Sequence, residues 1–340
     1  MTDWLTGSYG PEMSGTGAGI VAMRSTANGA LEVVSTVDAT ASPSALLAHC
    51  DHLYAVIESA TEGFVQSWRR TGTTLELDGR APSGGQYACS LAVFEGRLIV
   101  TNYGNGVLGV IGLDAAGAVT TLLQAIPGPT GRPGPHPDQG NSRQHAALVT
   151  DDTVLVSVDL GADELQLHRL EANEQGRGEV VRYDTFALPT GTGPRDVAQH
   201  PSGLIVVLGE LDATMHLLSW RGQAEGFVHR SSAQLPQVDR EHAAALAFSA
   251  DGRFAYTSLR RSNRVAVVHI DVDAATLSFV DVVPGGGSWG RHLAVDGDLL
   301  HVANQVSNEV TSFRIGTDGV PVQIAPGTAV GSPTYLLRVD

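Results

Sequence analysis

The residues of this chain best equipped for chemistry are His145, Arg195, Glu210, Arg260 and Arg291. An imidazole titrates near neutral pH and can pass a proton in either direction. A carboxylate can act as a base or hold a cation in place. A guanidinium grips a carboxylate or phosphate through two parallel hydrogen bonds, and it can neutralise an oxyanion as the charge develops. Brought together, the five would form an acid–base centre for an anionic ligand, with His145 or Glu210 as the general base. Neither metal nor cofactor is called for. His292 and His301 lack metal-ligand spacing, and Asp271-Val272-Asp273 lacks the Gly and Glu of a calcium loop. Ser90 has no nucleophile-elbow context. Cys89 reads as a small buried hydrophobe, Asp159 as the organiser of its turn and Arg261 as solvated.

What must position these side chains is visible in residues 191 to 215. Asp196-Val197-Ala198-Gln199 reaches a turn at His200-Pro201-Ser202-Gly203, and the apolar run Leu204 to Leu208 follows. Apolar runs of about five residues bounded by Pro, Ser and Gly are strands. The hairpin therefore puts Arg195 and Glu210 at the same end. It also recurs, beginning near Pro43, Ala88, Gln144, Pro194, His242 and Gly290, with steps of 45 to 56 residues. Each hairpin is followed by a third and a fourth strand, as in HLLSW and FVHRSS. This is the period of a four-stranded propeller blade. The last residues, SPTYLLRVD, supply only a first strand, whereas the first residues supply a second, third and fourth. The expected fold is therefore an all-β, seven-bladed β-propeller, a single domain over residues 1–340, closed by both termini in one blade. The longest interval contains a Gly- and Pro-rich stretch, residues 125 to 144, which is either an active-site flap or a surface insertion.

Composition agrees and excludes several function classes. Among 340 residues there are 40 Gly and 16 Pro, and no long 3.6-residue periodicity. All 21 basic residues are Arg, so a lysine Schiff base or a P-loop lysine is excluded. The net charge of -15 argues against nucleic acid and anionic membrane surfaces as partners. Two cysteines make no disulfide framework. No signal segment and no membrane span is expected. The protein is expected to act in the cytoplasm, as a monomer or weak homo-oligomer, on a small anionic substrate.

The start of each blade's first strand and the end of its second should share one face. The first set is Ser44, Cys89, His145, Arg195, Ala243, Arg291 and Thr334. The second is Glu58, Tyr103, Leu160, Glu210, Arg260, Gln305 and Tyr9. The charges concentrate in these two rings, so His145, Glu210, Arg195 and Arg260 are the expected catalytic groups. Arg291, Glu58, Tyr103 and Gln305 are the expected substrate-binding groups.

The segments LYAVIES, VTNYGNG, VDLGAD, TGPRDVAQHPSG, GEL and VANQVSN resemble the seven-bladed lactonase family over essentially the whole chain. That family includes the propeller-type 6-phosphogluconolactonases and the fungal carboxy-cis,cis-muconate cyclase. The resemblance implies that His145, Arg195, Glu210 and Arg260 are active-site groups. It departs at Arg143-Gln144-His145, where the family often has Pro-His-x-His, and at Ser258-Leu259-Arg260-Arg261, where Ser-Asn-Arg-Gly is usual. Three readings follow: hydrolysis of an anionic sugar lactone, with 6-phosphogluconolactone the leading candidate; cyclisation of a carboxylated muconate; and a non-catalytic binding platform.

Overall fold

A computed structural model of the chain describes residues 2–131, 134–150, 154–173, 175–176 and 178–339. Seven antiparallel sheets stand in a ring. Blade 1 is built from both ends of the chain: the inner strand Pro333–Arg338 pairs with Asp3–Ser8, followed outward by Ile20–Ser25 and Leu31–Asp38. Blades 2 to 7 begin with inner strands Pro43–His49, Ala88–Phe94, Gln144–Val149, Pro194–Gln199, Ala243–Phe248 and Gly290–Asp296. Each inner strand packs against the next, and Pro333–Arg338 against both Gly290–Asp296 and Pro43–His49, so the ring is closed. Blade 6 starts one residue later than the repeat suggests: Ala243, not His242, is the partner equivalent to Pro194. A bulge follows, with Ala245 at φ 60°. That shift moves Ala243 out of the first ring, and Ala245 faces the axis instead.

The core lies between blades, not within one. Among the described residues the buried apolar side chains form seven clusters, one at each blade–blade junction. Alternation along the middle strands produces this, because both faces of a central blade strand meet a neighbour. Tyrosines tie the stack at two junctions: Tyr54 donates to the Gly117 carbonyl at 2.7 Å and Tyr256 to the Gly319 carbonyl at 2.9 Å. Glycine is needed where backbones touch. A Cβ on Gly7 would meet the Pro43 carbonyl oxygen at 2.1 Å, so blades 1 and 2 close over a residue without one. No helix among the described residues is long and apolar enough to cross a membrane.

Two fully buried imidazoles link this packing to pH. His168 meets the Ser157 hydroxyl at 3.0 Å, and His301 meets that of Ser312 at 2.9 Å. Burial pushes their pKa values down to about 3 and about 4. The unfolded chain takes up protons below an imidazole's ordinary 6.5, while the folded chain refuses them. Their contribution is therefore full above that pH and falls as pH drops towards 3 to 4. Between pH 6.5 and 5 each should cost about 2 kcal/mol of stability. Urea unfolding of wild type and His168→Asn at pH 7 and pH 5 checks this: the variant should lose less on acidification.

Candidate active site

The hairpin of blade 5 does what its geometry requires: Arg195 and Glu210 lie on one face, Nη1 to Oε2 at 2.9 Å. Glu210 is the hub of a larger cluster. Its Oε1 also accepts from Arg260 Nη2 at 2.6 Å and from His242 Nδ1 at 2.9 Å. Arg195 Nη1 bridges onward to His145 Nε2. Across the cavity Arg291 donates to the Tyr9 hydroxyl, which donates to Glu58 Oε2 at 2.8 Å; Arg291 and Glu58 are 3.8 Å apart. The cavity enclosed by these groups measures about 230 Å³. Aromatic rings wall it: Tyr103 stands edge-on to His145 at 5.7 Å, and Arg291 lies over Tyr9 at 4.7 Å.

The surroundings set the charges. Burial alone would raise the Glu210 pKa, but Arg260, Arg195 and the His242 hydrogen bond outweigh it and hold the carboxyl well below its ordinary range. Glu210 is thus a permanent anion that clamps two guanidiniums, and a weak base. Burial, followed by the field of Arg195, drives His145 well below its ordinary value, so its imidazole is neutral at pH 7. Arg195 donates to Nε2, which leaves the ring hydrogen on Nδ1. Burial lowers Arg260 to about 10, still protonated at neutral pH. The Cys89 thiol, enclosed near the Thr101 hydroxyl at 3.5 Å, is pushed by burial up to about 12 and is inert as a nucleophile. Asp159 accepts backbone hydrogen bonds from Arg143, Gly161 and Ala162, in keeping with a turn organiser. Among the described residues no three His, Cys, Asp or Glu side chains group to hold a metal ion.

Of the eight residues singled out in the sequence, seven line this cavity: His145, Glu210, Arg195, Arg260, Arg291, Glu58 and Tyr103. Gln305 does not. Its backbone holds the Trp289 carbonyl at 3.1 Å, its side chain stays outside the lining, and Arg291 serves that sector. A third ring was missed. The residue just before each inner strand accepts from the backbone N–H at the top of the second strand, as Gly193 does from Glu210 and His242 from Arg260. Tyr87, Arg143, His242 and Trp289 occupy four of these positions. Tyr87 walls the cavity, Arg143 lies over Tyr103 at 4.7 Å, and Arg260 lies over Trp289 at 5.2 Å. Aromatic and basic residues one place ahead of four of the inner strands were the available signal. Met13, from the short turn Pro11–Met13, was also missed. The loop between blades 3 and 4 reaches towards the site: His136 stands edge-on to His242 at 6.5 Å, and the side chain of the buried Gln139 donates to Asp163 at 2.7 Å. Arg132 and Pro133 of that loop lie outside the described residues.

The sequence pattern of the family described as Lactonase, 7-bladed beta-propeller, matches residues 4–337. The chain belongs to this family. Several relatives carry the name 6-phosphogluconolactonase. The one from Formosa agariphila is 24% identical, over 98% of this chain and 98% of its own. The Bacillus subtilis protein is 24% identical, over 81% of this chain and 80% of its own. Among solved structures, the periplasmic gluconolactonase of Pseudomonas aeruginosa superposes with a TM-score of 0.89, covering 100% of this chain and 99% of that one at 22% identity. At that identity the likeness speaks for the fold.

The cluster predicts an asymmetry in stability. Glu210→Ala strands two buried guanidiniums and should cost about 3–5 kcal/mol. Glu210→Gln keeps one of the two acceptor oxygens and should cost less than the alanine. Chemical denaturation at pH 7 compares the two.

Proposed function

We propose that this lactonase-family protein hydrolyses an anionic sugar lactone, with 6-phosphogluconolactone the first candidate. The observation that carries the reading is the Glu210 hub: one ionised carboxylate presents two guanidiniums to a concave site beside a neutral imidazole. Lactone opening needs these parts. Water attacks the ring carbonyl, an oxyanion develops, and the ring oxygen leaves as a hydroxyl. Arg195 and Arg260 would meet the oxyanion, where preorganised donors act most strongly. A carbonyl oxygen that draws Arg195 towards it frees His145 Nε2 to take the water's proton. The same imidazolium then returns the proton to the departing ring oxygen. Glu210 would hold the guanidiniums and not serve as the base. Arg291, held from the Tyr9 and Glu58 side, would bind the substrate's anionic group. The names of the Formosa agariphila and Bacillus subtilis relatives support the choice of substrate.

The test follows loss of 6-phosphogluconolactone above its spontaneous hydrolysis, with 3-carboxymuconate as comparator. Wild type should open the lactone, and His145→Gln and Arg260→Ala should each lower kcat/KM by roughly 10²–10⁴. Turnover of the muconate alone would replace this reading with the cyclase, and turnover of neither would leave a binding role. The base must be neutral to act, and its pKa lies below the ordinary 6.5. The acid limb of kcat/KM should therefore fall below pH 6.5, with a plateau above it, when rates are measured from pH 4 to 8.

A further inference from the structure

Beneath the site cavity the ring axis holds a second chamber of about 100 Å³. Cys89, His145, Arg195 and Arg291 belong to the walls of both, so the two spaces adjoin. Its remaining walls are Ser44 and Thr334 of the first ring and the next residues along the inner strands, Ser90, Asp196, His292 and Tyr335 among them, and most of these groups can donate a hydrogen bond. Ser44 and Thr334 stand on adjacent inner strands, only 5% and 2% exposed. Neither hydroxyl has a protein partner among the described residues. Buried hydroxyls are nearly always bonded, so two such groups on one small chamber mark a place built for a ligand's oxygens. His292 accepts the Leu336 backbone N–H on Nδ1 at 3.2 Å, which puts its ring hydrogen on Nε2. Burial holds that imidazole neutral, near 3, and the stacked Tyr335 phenol protonated, near 12. The Ser90 hydroxyl adds another donor. The acid in the wall, Asp196, accepts from the Val197 backbone at 2.9 Å, and burial raises its pKa.

Two guanidiniums with the hydroxyl and imidazole donors, set against the single carboxyl of Asp196, suit a group rich in acceptors. We propose that this axial chamber is a subsite for a tetrahedral oxyanion, either the phosphate of a phosphorylated substrate or free inorganic phosphate. The lactonase reading enters only in naming the molecule that carries the phosphate: its ring would occupy the upper cavity, among Tyr9, Tyr87 and Tyr103, and its phosphate would descend past Arg291.

Calorimetric titration with inorganic phosphate tests the chamber without reference to catalysis. Wild type should bind one phosphate per chain, saturably. Ser44→Ala combined with the isosteric Thr334→Val should weaken that binding by roughly tenfold or more. Each single variant, checked for a native circular dichroism spectrum and cooperative unfolding, should fall in between. Absence of saturable binding by folded wild type, or equal binding by wild type and the double variant, overturns the proposal. Kinetics then separate the two sources. If the substrate supplies the occupant, phosphate should compete with 6-phosphogluconolactone but not with gluconolactone, and the double variant should raise KM for the former alone. Equal inhibition of both lactones assigns the chamber to free phosphate. Phosphate binding by a protein that opens neither lactone would uphold the chamber and reject the lactonase reading.

Discussion

The Glu210 carboxylate is the interaction on which the site depends. Three donors converge on its two oxygens: Arg195 from its own blade, Arg260 from the next, and His242 from the link between them. Bonds to charged groups are short and strong, but only if every member of a buried set is satisfied. A guanidinium placed at a blade top without such a partner would swing to solvent or lower the stability of the ring. With the carboxylate in place, two long flexible side chains acquire fixed directions. The same bonds that orient Arg195 and Arg260 remove Glu210 from proton transfer, so His145 carries that role in the proposed reaction.

The Arg291, Tyr9 and Glu58 chain repeats this logic on the opposite side of the cavity. Together the two clusters place three arginines against two glutamates at the axis of a protein with a net charge of -15. These cations are local and are enclosed by apolar blade junctions of low dielectric, with Asp196 a third acid in the chamber below. In the proposed reading they draw an anionic ligand to the axis. The junction clusters carry stability, and in the proposed reaction the axial and top-face residues carry the chemistry.

The pairing of Arg195 with Glu210 was legible in the sequence because a hairpin of two similar strands leaves no choice about which ends meet. The blade count was legible because each half-unit at the chain ends completes the other. The inner strand of blade 6 begins at Ala243 and not at His242, and its bulge falls at Ala245, whereas the other blades bulge directly after the first residue; an Ala-rich run gives no sign of that difference. Tyr87 and Trp289 escaped notice because they precede the strands and adopt φ near 51° and 63°, a backbone state that side-chain pattern does not reveal. Glu210 could be placed but not assigned a role: whether a carboxylate is a base or a clamp depends on how many cations reach it, and those come from separate blades. Gln305 shows the reverse case, a position matched to its ring whose side chain is not part of the cavity lining.

The split first blade also has a consequence in time. Tyr9, directly after the strand Asp3–Ser8, and Thr334, in Pro333–Arg338, both wall the axial spaces, and the six complete blades lie between them in the chain. Pairing of those two strands closes a loop spanning all six blades, the most entropically demanding closure the ring makes. Six blades can stack on the ribosome while the seventh is still open. Through that interval the clamp on Glu210 can form, but the axis stays open on the side that Tyr9 and Thr334 will occupy. A nascent or truncated chain would then carry an incomplete binding site, and ligand binding would report that the last strand has docked.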